Sequence, residues 1–191
     1  MNNMVFMMNV KTGVGKPEFD ISIESWRRWC DKNDVELFVL EELVLPIDEM
    51  HLIWQRYYVF DILEANGIEP NQILLVDADT IVHPNCPNFF DETENKFCLV
   101  HDDASYDWIL RGMEHYSKYV FDGAWFDFWK YGNAGFQIVN NIHRPFFDYM
   151  REFYFTHKVN LEAVRSTFGV GTDQTVLNFN LNLQNIDVKL L

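Results

Sequence analysis

The sequence has few cysteines, no long apolar run and few basic residues, and each shortage excludes a class of protein. Its cysteines, Cys30, Cys86 and Cys98, are odd in number and have no CxxC spacing. This excludes a disulfide framework or a zinc cluster and indicates free thiols in a reducing compartment. No run approaches the ~18 apolar residues of a membrane span. The N-terminal residues also lack the basic and apolar regions of a signal peptide, so we expect a cytoplasmic protein without a membrane span.

The shortage of basic residues gives the chain a strongly acidic balance. It has 15 Lys and Arg against 29 Asp and Glu, a formal net charge of −14. Nucleic acids and anionic membranes attract basic surfaces, so we expect neither as a partner. An acidic protein that binds a phosphorylated ligand must supply local positive charge, and a bound cation is one source of it.

Apolar residues are plentiful, and their spacing predicts an α/β fold. The 191 residues, 48% of them apolar, suffice for one domain with a sizeable core. Segments typical of strands alternate with segments typical of helices, which favours an α/β sandwich with a mainly parallel sheet. An aromatic-rich insertion, Ala104–Tyr131, breaks this alternation. The predicted strands are Met4–Asn9, Glu36–Leu40, the apolar run from Ile73, Phe97–Val100, Ala134–Asn140 and Val188–Leu191; the predicted helices run from Phe19 to Asn33, from an Asp48 cap to Gly67, from Pro145, and from a Thr172 cap.

Two carboxylates follow the apolar run in the segment Gln72–Pro84, QILLVDADTIVHP. In an extended segment, Asp77 and Asp79 point to the same side, and ligands of open α/β sheets bind at the carboxyl ends of strands. Paired carboxylates repel each other, and a divalent cation offsets that cost. Carboxylate oxygens suit Mg²⁺ or Mn²⁺, and the small Ala78 lets a ligand approach the backbone. The alternative is an Asp-rich turn that only ends the strand.

Three ordered segments resemble the GT-A-type, DxD-containing nucleotide-sugar glycosyltransferases. ILLVDADTIVHP resembles their DxD strand, YGNAGFQIVN their N-(A/S)-G strand, and GTDQTVLN their DQ…LN helix start. The compact domain is similar to that of a virus-encoded capsid glycosyltransferase, which would place the protein in a host cytoplasm. The resemblance implies a Rossmann-like α/β/α sandwich, with a nucleotide-sugar-binding part at about residues 1–103 and an acceptor and catalytic part at about 104–191.

The resemblance also implies residue roles around the donor. Asp79 would be the main metal ligand, and Asp77 would share the metal or contact the ribose. A third ligand, often a C-terminal His in the family, has no matching position, so we expect the ion to rely on Asp79, phosphates and water. Further donor-binding residues would be Lys11, Arg56, Ala78, Asn133 and Gly135. For Lys11 and Arg56 the alternative is a solvated surface charge, and for the Asn-Ala-Gly segment a turn before a strand.

Acids at two places in the sequence are candidates for a catalytic role. Asp173 matches the DQ helix start, where a plain stabilising charge at a helix N-terminus is the alternative. Asp102 and Asp103, at the end of a predicted strand, are placed to deprotonate an acceptor hydroxyl, and the alternative is a solvated acidic turn. Aromatic side chains within Trp125–Tyr131 offer flat faces for sugar rings, although core packing also explains many of them.

We therefore predict a metal-dependent transferase that moves a sugar from a nucleotide-diphosphate sugar, most often UDP-linked, to a carbohydrate acceptor. One alternative is a phosphatase of the haloacid dehalogenase type with Asp77 as nucleophile and Asp79 as acid/base. About 70 patterned residues before the motif and Ile81 within it count against this alternative. The other is a non-catalytic sugar- or nucleotide-binding module. Because the chain is short for a transferase, either it is one domain of a longer polypeptide or its acceptor site is built largely from Ala104–Tyr131.

Overall fold

The computed structural model describes residues 2–10, 17–102 and 105–191, which form one mixed sheet flanked by helices. The strands are β1 (Met4–Met8), β2 (Glu36–Leu40), β3 (Ile73–Asp77), β4 (Phe97–His101), β5 (Gly132–Val139) and β6 (Val188–Leu190). The α-helices are α1 (Pro17–Asn33), α2 (Val59–Ala65), α3 (Tyr106–Tyr119), α4 (Arg144–Phe168) and α5 (Gln174–Leu183). Short 3₁₀ helices span Leu52–Tyr58, Phe89–Glu92, Phe128–Lys130 and Asn141–His143.

The six strands lie in the order β2-β1-β3-β5-β4-β6. β1 is parallel to β2 and β3, β4 is parallel to β6, and of the described strands only β5 runs antiparallel to its neighbours. The predicted mainly parallel α/β sheet is therefore confirmed. As a result, the carboxyl ends of β1, β3 and β4 and the amino end of β5 share one edge of the sheet.

The core lies on both faces of the sheet and follows the alternation of side chains along each strand. In β3, Leu74 and Val76 pack with Trp26 and Trp29 of α1 on one face. Ile73 and Leu75 pack on the other face, among the side chains of the Leu52–Tyr58 helix, α4 and α5. Asp77 has the parity of Ile73 and Leu75, so the pleat directs it toward this second face.

Two predicted helix starts are wrong, since neither Asp48 nor Thr172 caps a helix. Asp48 lies in a turn, and the helical segment begins later as a 3₁₀ helix at Leu52 that continues into α2. The Thr172 hydroxyl accepts a hydrogen bond from the Trp54 indole at 2.7 Å, and Asp173 occupies the N-cap position of α5. The predicted stop at Gly67 is confirmed: it has a φ of +70°, and bonds to the last turn of α2 close the helix there.

The aromatic-rich insertion contains a helix that its sequence obscured. Ile109, Met113 and Tyr116 are the buried residues of α3 at helical spacing. Exposed aromatic residues, including Tyr106, Tyr119, Trp125 and Trp129, are interspersed with the buried ones and hide the helical periodicity of the sequence.

Among residues 2–10, 17–102 and 105–191, no helix is both long and apolar enough to cross a membrane.

Candidate functional site

The paired carboxylates lie at the carboxyl end of β3, in a turn and not in an extended segment. The strand ends at Asp77, and the Thr80 N–H donates to the Asp77 carbonyl at 3.2 Å, which closes a turn over Ala78 and Asp79. The predicted extended geometry is therefore wrong. Even so, Asp77 and Asp79 line the same open cavity of about 220 Å³. The cavity is also lined by Met8, Val10, Phe19, Leu52, Ile53, Arg56 and Ala78.

Arg56 lies between two carboxylates at the floor of this cavity. Its Nη2 donates to Asp77 Oδ1 at 2.8 Å, and its Nε lies 3.7 Å from Asp173 Oδ2. Its Nη1 donates to the Ala134 carbonyl, and its side chain is only 11% exposed. Burial alone would lower the pKa of the guanidinium, but the two carboxylates outweigh burial and raise it. Arg56 is thus a permanent cation that balances part of the negative charge of the site.

Gly135 provides the space that the Asp77 carboxylate occupies. A Cβ atom at this position would lie 2.5 Å from Asp77 Oδ2 and 3.0 Å from Asn133 Oδ1. Any larger residue would have to displace one of these side chains. Packing against Asp77 and Asn133 therefore explains why a glycine occupies this position, whether or not a ligand binds nearby.

The Asn-Ala-Gly segment lies within a bulge of β5. Leu99 of β4 pairs with Gln137, but the next residue, Val100, pairs with Asn133, so three residues of β5 leave this ladder. Bulges often re-aim side chains beside active sites. The bulge places the Ala134 carbonyl on Arg56 and the Gly135 backbone against Asp77.

Side chains satisfy the backbone groups that the bulge leaves unpaired. Gln174 Oε1 accepts from the Ala134 N–H at 3.0 Å, and Gln137 Nε2 donates to the Ala134 carbonyl at 2.8 Å. Asn133 Oδ1 accepts from the Gly135 N–H at 2.7 Å. Because buried backbone groups need partners, these amides hold the bulge in one conformation.

Asp102 and Gln174 join the site; the sequence offered Asp102 as a candidate base together with Asp103, and Gln174 only as part of the DQ motif. Gln174 Nε2 donates to Asp102 Oδ2 at 2.6 Å, and Asn133 Nδ2 approaches the same oxygen at 3.4 Å. Asp102 is buried at the end of β4. The DQ pair was the sequence signal for Gln174. Its contact with Asp102 could not be read from the sequence, because the two residues are 72 positions apart. Asp103 and Lys11, which the sequence did single out, lie outside the described residues.

Asp173 is a buried acid at the start of α5. Its Oδ2 is fully buried and accepts no hydrogen bond within the described part of the chain, and Arg56 at 3.7 Å is its closest cation. Burial raises the pKa of Asp173 above its ordinary value, and Arg56 only partly opposes this shift. A buried, incompletely paired carboxylate destabilises the fold, which is typical of a residue retained for function.

The donor atoms of the site fit a hard divalent cation held mainly by its ligand. Asp79 is exposed and its carboxylate has no hydrogen-bond or ion-pair partner among the described residues. Asp77 Oδ2 lies over Gly135, while Oδ1 is held by Arg56. Within residues 2–10, 17–102 and 105–191, no group of three or more His, Cys, Asp or Glu could hold a metal ion. Mg²⁺ is commonly bound in this way, by one or two carboxylates with substrate phosphates and water.

Replacing Asp173 by Asn should stabilise the protein at neutral pH by ~0.5–2 kcal/mol, because an amide of the same shape removes the buried charge. The stability that protonated Asp173 provides is fully present below its ordinary pKa of 3.8 and is lost as the pH rises through its raised folded-state pKa. The advantage of the variant should therefore grow from acid to neutral pH. Urea unfolding at several pH values would measure it, and a gain that does not depend on pH would contradict this account.

Comparisons with known proteins support the fold. No protein-family model matches the chain, and no curated protein matches its sequence. Among solved structures, it is similar to a glycosyltransferase involved in the glycosylation of the major capsid of PBCV-1, with a TM-score of 0.59 and 13% identity over 100% of this chain and 81% of that chain. A197 from STIV has a TM-score of 0.39 and 12% identity over 76% of this chain and 68% of that chain, too low to support an inference. The first likeness shows that the chain shares its α/β fold with that viral glycosyltransferase.

Proposed function

We propose that this protein is a metal-dependent glycosyltransferase that moves a sugar from a nucleotide-diphosphate sugar, with UDP as the first candidate, to an acceptor hydroxyl. The observation that carries the proposal is the exposed Asp79, which has no partner among the described residues, beside the network Asp77–Arg56–Asp173 at the carboxyl edge of the sheet. The shared fold with a viral glycosyltransferase is consistent with the proposal.

Asp79 and Asp77 would hold Mn²⁺ or Mg²⁺. When bound, the cation would neutralise charge on the diphosphate of the donor and so favour its departure. Arg56 fixes Asp77 through the bond at 2.8 Å, which leaves Oδ2 of that carboxylate available on the other side. A carboxylate held in one orientation binds a ligand at a lower entropic cost than a mobile one.

Arg56 supports the donor site mainly by positioning its neighbours. Three of its N–H groups bond to the Ile53 carbonyl, the Ala134 carbonyl and Asp77. A direct bond to the donor would have to use the remaining N–H groups. Ala78 lines the cavity, and Gly135 of the β5 bulge lies against Asp77. Contacts of Asn133 and Gly135 with the donor are part of the proposal. A nucleotide contact by Lys11 remains part of the proposal.

Two acids would take part in the transfer itself. Asp102 is oriented by Gln174 and Asn133 at the end of β4, where it would position or deprotonate an acceptor hydroxyl. Asp173 is buried beside Arg56 and would face the donor sugar. The catalytic role predicted for Asp103 remains a proposal alongside that of Asp102.

Calorimetric titration with a panel of UDP-, GDP- and dTDP-sugars, each with and without Mn²⁺, would test the proposal. We expect one donor to bind only with the metal and to be hydrolysed slowly without an acceptor. Binding without any turnover would support the binding-module alternative. Turnover of p-nitrophenyl phosphate with a trapped phosphoaspartate on Asp77 would instead favour the phosphatase.

A further inference from the structure

A group of aromatic rings forms an exposed surface beside Asp102. The Trp129 ring is nearly parallel to the His101 ring, with an angle of 17° and a centroid distance of 6.3 Å. Phe128 packs edge-on against both Trp129 and Tyr106, at centroid distances of 5.1 and 5.2 Å. We call these residues, His101, Tyr106, Phe128 and Trp129, the aromatic platform. Trp129 is 66% exposed and Tyr106 is 48% exposed, and contiguous exposed rings of this kind are typical of an interaction site.

The platform is continuous with the candidate site. His101 is the last residue of β4 and pairs with Gly132 of β5, and Asp102 follows it directly. The Asp102 N–H donates to the Tyr131 carbonyl at 3.1 Å, which ties the acid to the segment that carries Phe128 and Trp129. β4 is two positions from β3 in the sheet, so the ends of the two strands are about 10 Å apart at the usual strand spacing.

We propose that the aromatic platform binds a pyranose ring of a carbohydrate acceptor and presents one of its hydroxyls to Asp102. This inference rests on the proposed glycosyl transfer and adds the acceptor subsite to it. The outer face of Trp129 offers an apolar plane for the C–H face of a sugar ring. Asp102 directly follows His101 of the platform and, as a carboxylate, would accept a hydrogen bond from a hydroxyl of that sugar. The net charge of −14 favours a neutral sugar over a phosphorylated or otherwise anionic ligand.

The variant Trp129→Ala tests this subsite, and Trp125→Ala is its matched control. Trp125 is 56% exposed and lies four positions away, outside the platform. The probes are the methyl glycosides of glucose, galactose, mannose, fucose, rhamnose and xylose, observed by saturation-transfer NMR with UDP and Mn²⁺ present. We expect at least one glycoside to bind wild type and Trp125→Ala through its ring C–H protons. Trp129→Ala should bind that glycoside at least tenfold more weakly, with donor affinity and donor hydrolysis within twofold of wild type.

The outcomes separate this inference from the proposed function. Equal glycoside affinity in Trp129→Ala and wild type would overturn the platform while donor binding and hydrolysis still supported the transferase. The same conclusion would follow if no glycoside bound a wild-type protein that binds its donor. Failure of every nucleotide sugar to bind wild type would overturn the proposed function and, with it, the acceptor role of the platform.

Discussion

Replacing Asp79 by Ala should abolish Mn²⁺-dependent donor binding, weakening it more than about 100-fold, because even residues that only orient metal ligands account for 10–100-fold in affinity. Asp79 is exposed in a turn and has no partner among the described residues, so its removal breaks no side-chain hydrogen bond with any of them. The thermal midpoint of unfolding without metal should therefore stay near that of wild type. Calorimetric titration of the variant with the best donor, with and without Mn²⁺, measures the effect.

The control for this variant removes the same charge at a distance. Asp31 is an exposed residue of α1, and Asp31→Ala lowers the net negative charge equally. If donor affinity depended only on overall charge, both variants would change it alike. We expect Asp31→Ala to bind as wild type does. Donor affinity of Asp79→Ala equal to that of wild type would remove its role as a metal ligand.

Replacing Arg56 by Met should destabilise the protein by about 3 kcal/mol and abolish donor binding. Met retains much of the volume of the side chain but leaves the buried Asp173 without a cation, and breaking a buried pair in this way is strongly destabilising. Because Asp77 is partly exposed, most of the loss should come from Asp173. The Ala134 carbonyl of the bulge also loses its guanidinium donor. Urea unfolding at neutral pH measures the stability, and calorimetry measures the donor affinity.

A second substitution separates the charge effect from simple loss of packing. In Arg56→Met with Asp173→Asn, residue 173 no longer carries a buried charge that lacks a cation, so the double variant should recover more than half of the lost stability. Donor binding should not recover, because Asp77 and the bulge still lack their positioning group. Arg28→Met, which removes an exposed pair with Glu24, should leave the stability nearly unchanged. A double variant no more stable than Arg56→Met would contradict the role of Asp173.

Local sequence patterns predicted the architecture well where burial and strand alternation determine it. The predicted β2 coincides with the strand found, and the end of α1 at Asn33 is also confirmed. The apolar run before Asp77 indicated a buried strand, and its parity directs the acid toward Arg56. These features are local, so the residues themselves carry the information.

The organisation of the site was less accessible to sequence reasoning because it depends on long-range contacts. Asp77 and Asp79 were expected to share a face of an extended segment, but Thr80 closes a turn there through bonds to the Asp77 carbonyl. The hydroxyl of Thr172 bonds to Trp54, 118 positions away, and does not cap α5. Gln174 attracted attention only as part of a motif, although it connects Asp102 to the β5 bulge.

The central claim is that Asp79 and Asp77 bind a divalent cation together with a nucleotide sugar. Anomalous diffraction at the manganese edge, from crystals grown with Mn²⁺ and the best-binding donor, tests it most directly. The account predicts an anomalous peak within coordination distance of a carboxylate oxygen of Asp79, adjacent to Asp77 and the diphosphate. A bound donor with no such peak, or with the metal held elsewhere, would contradict it.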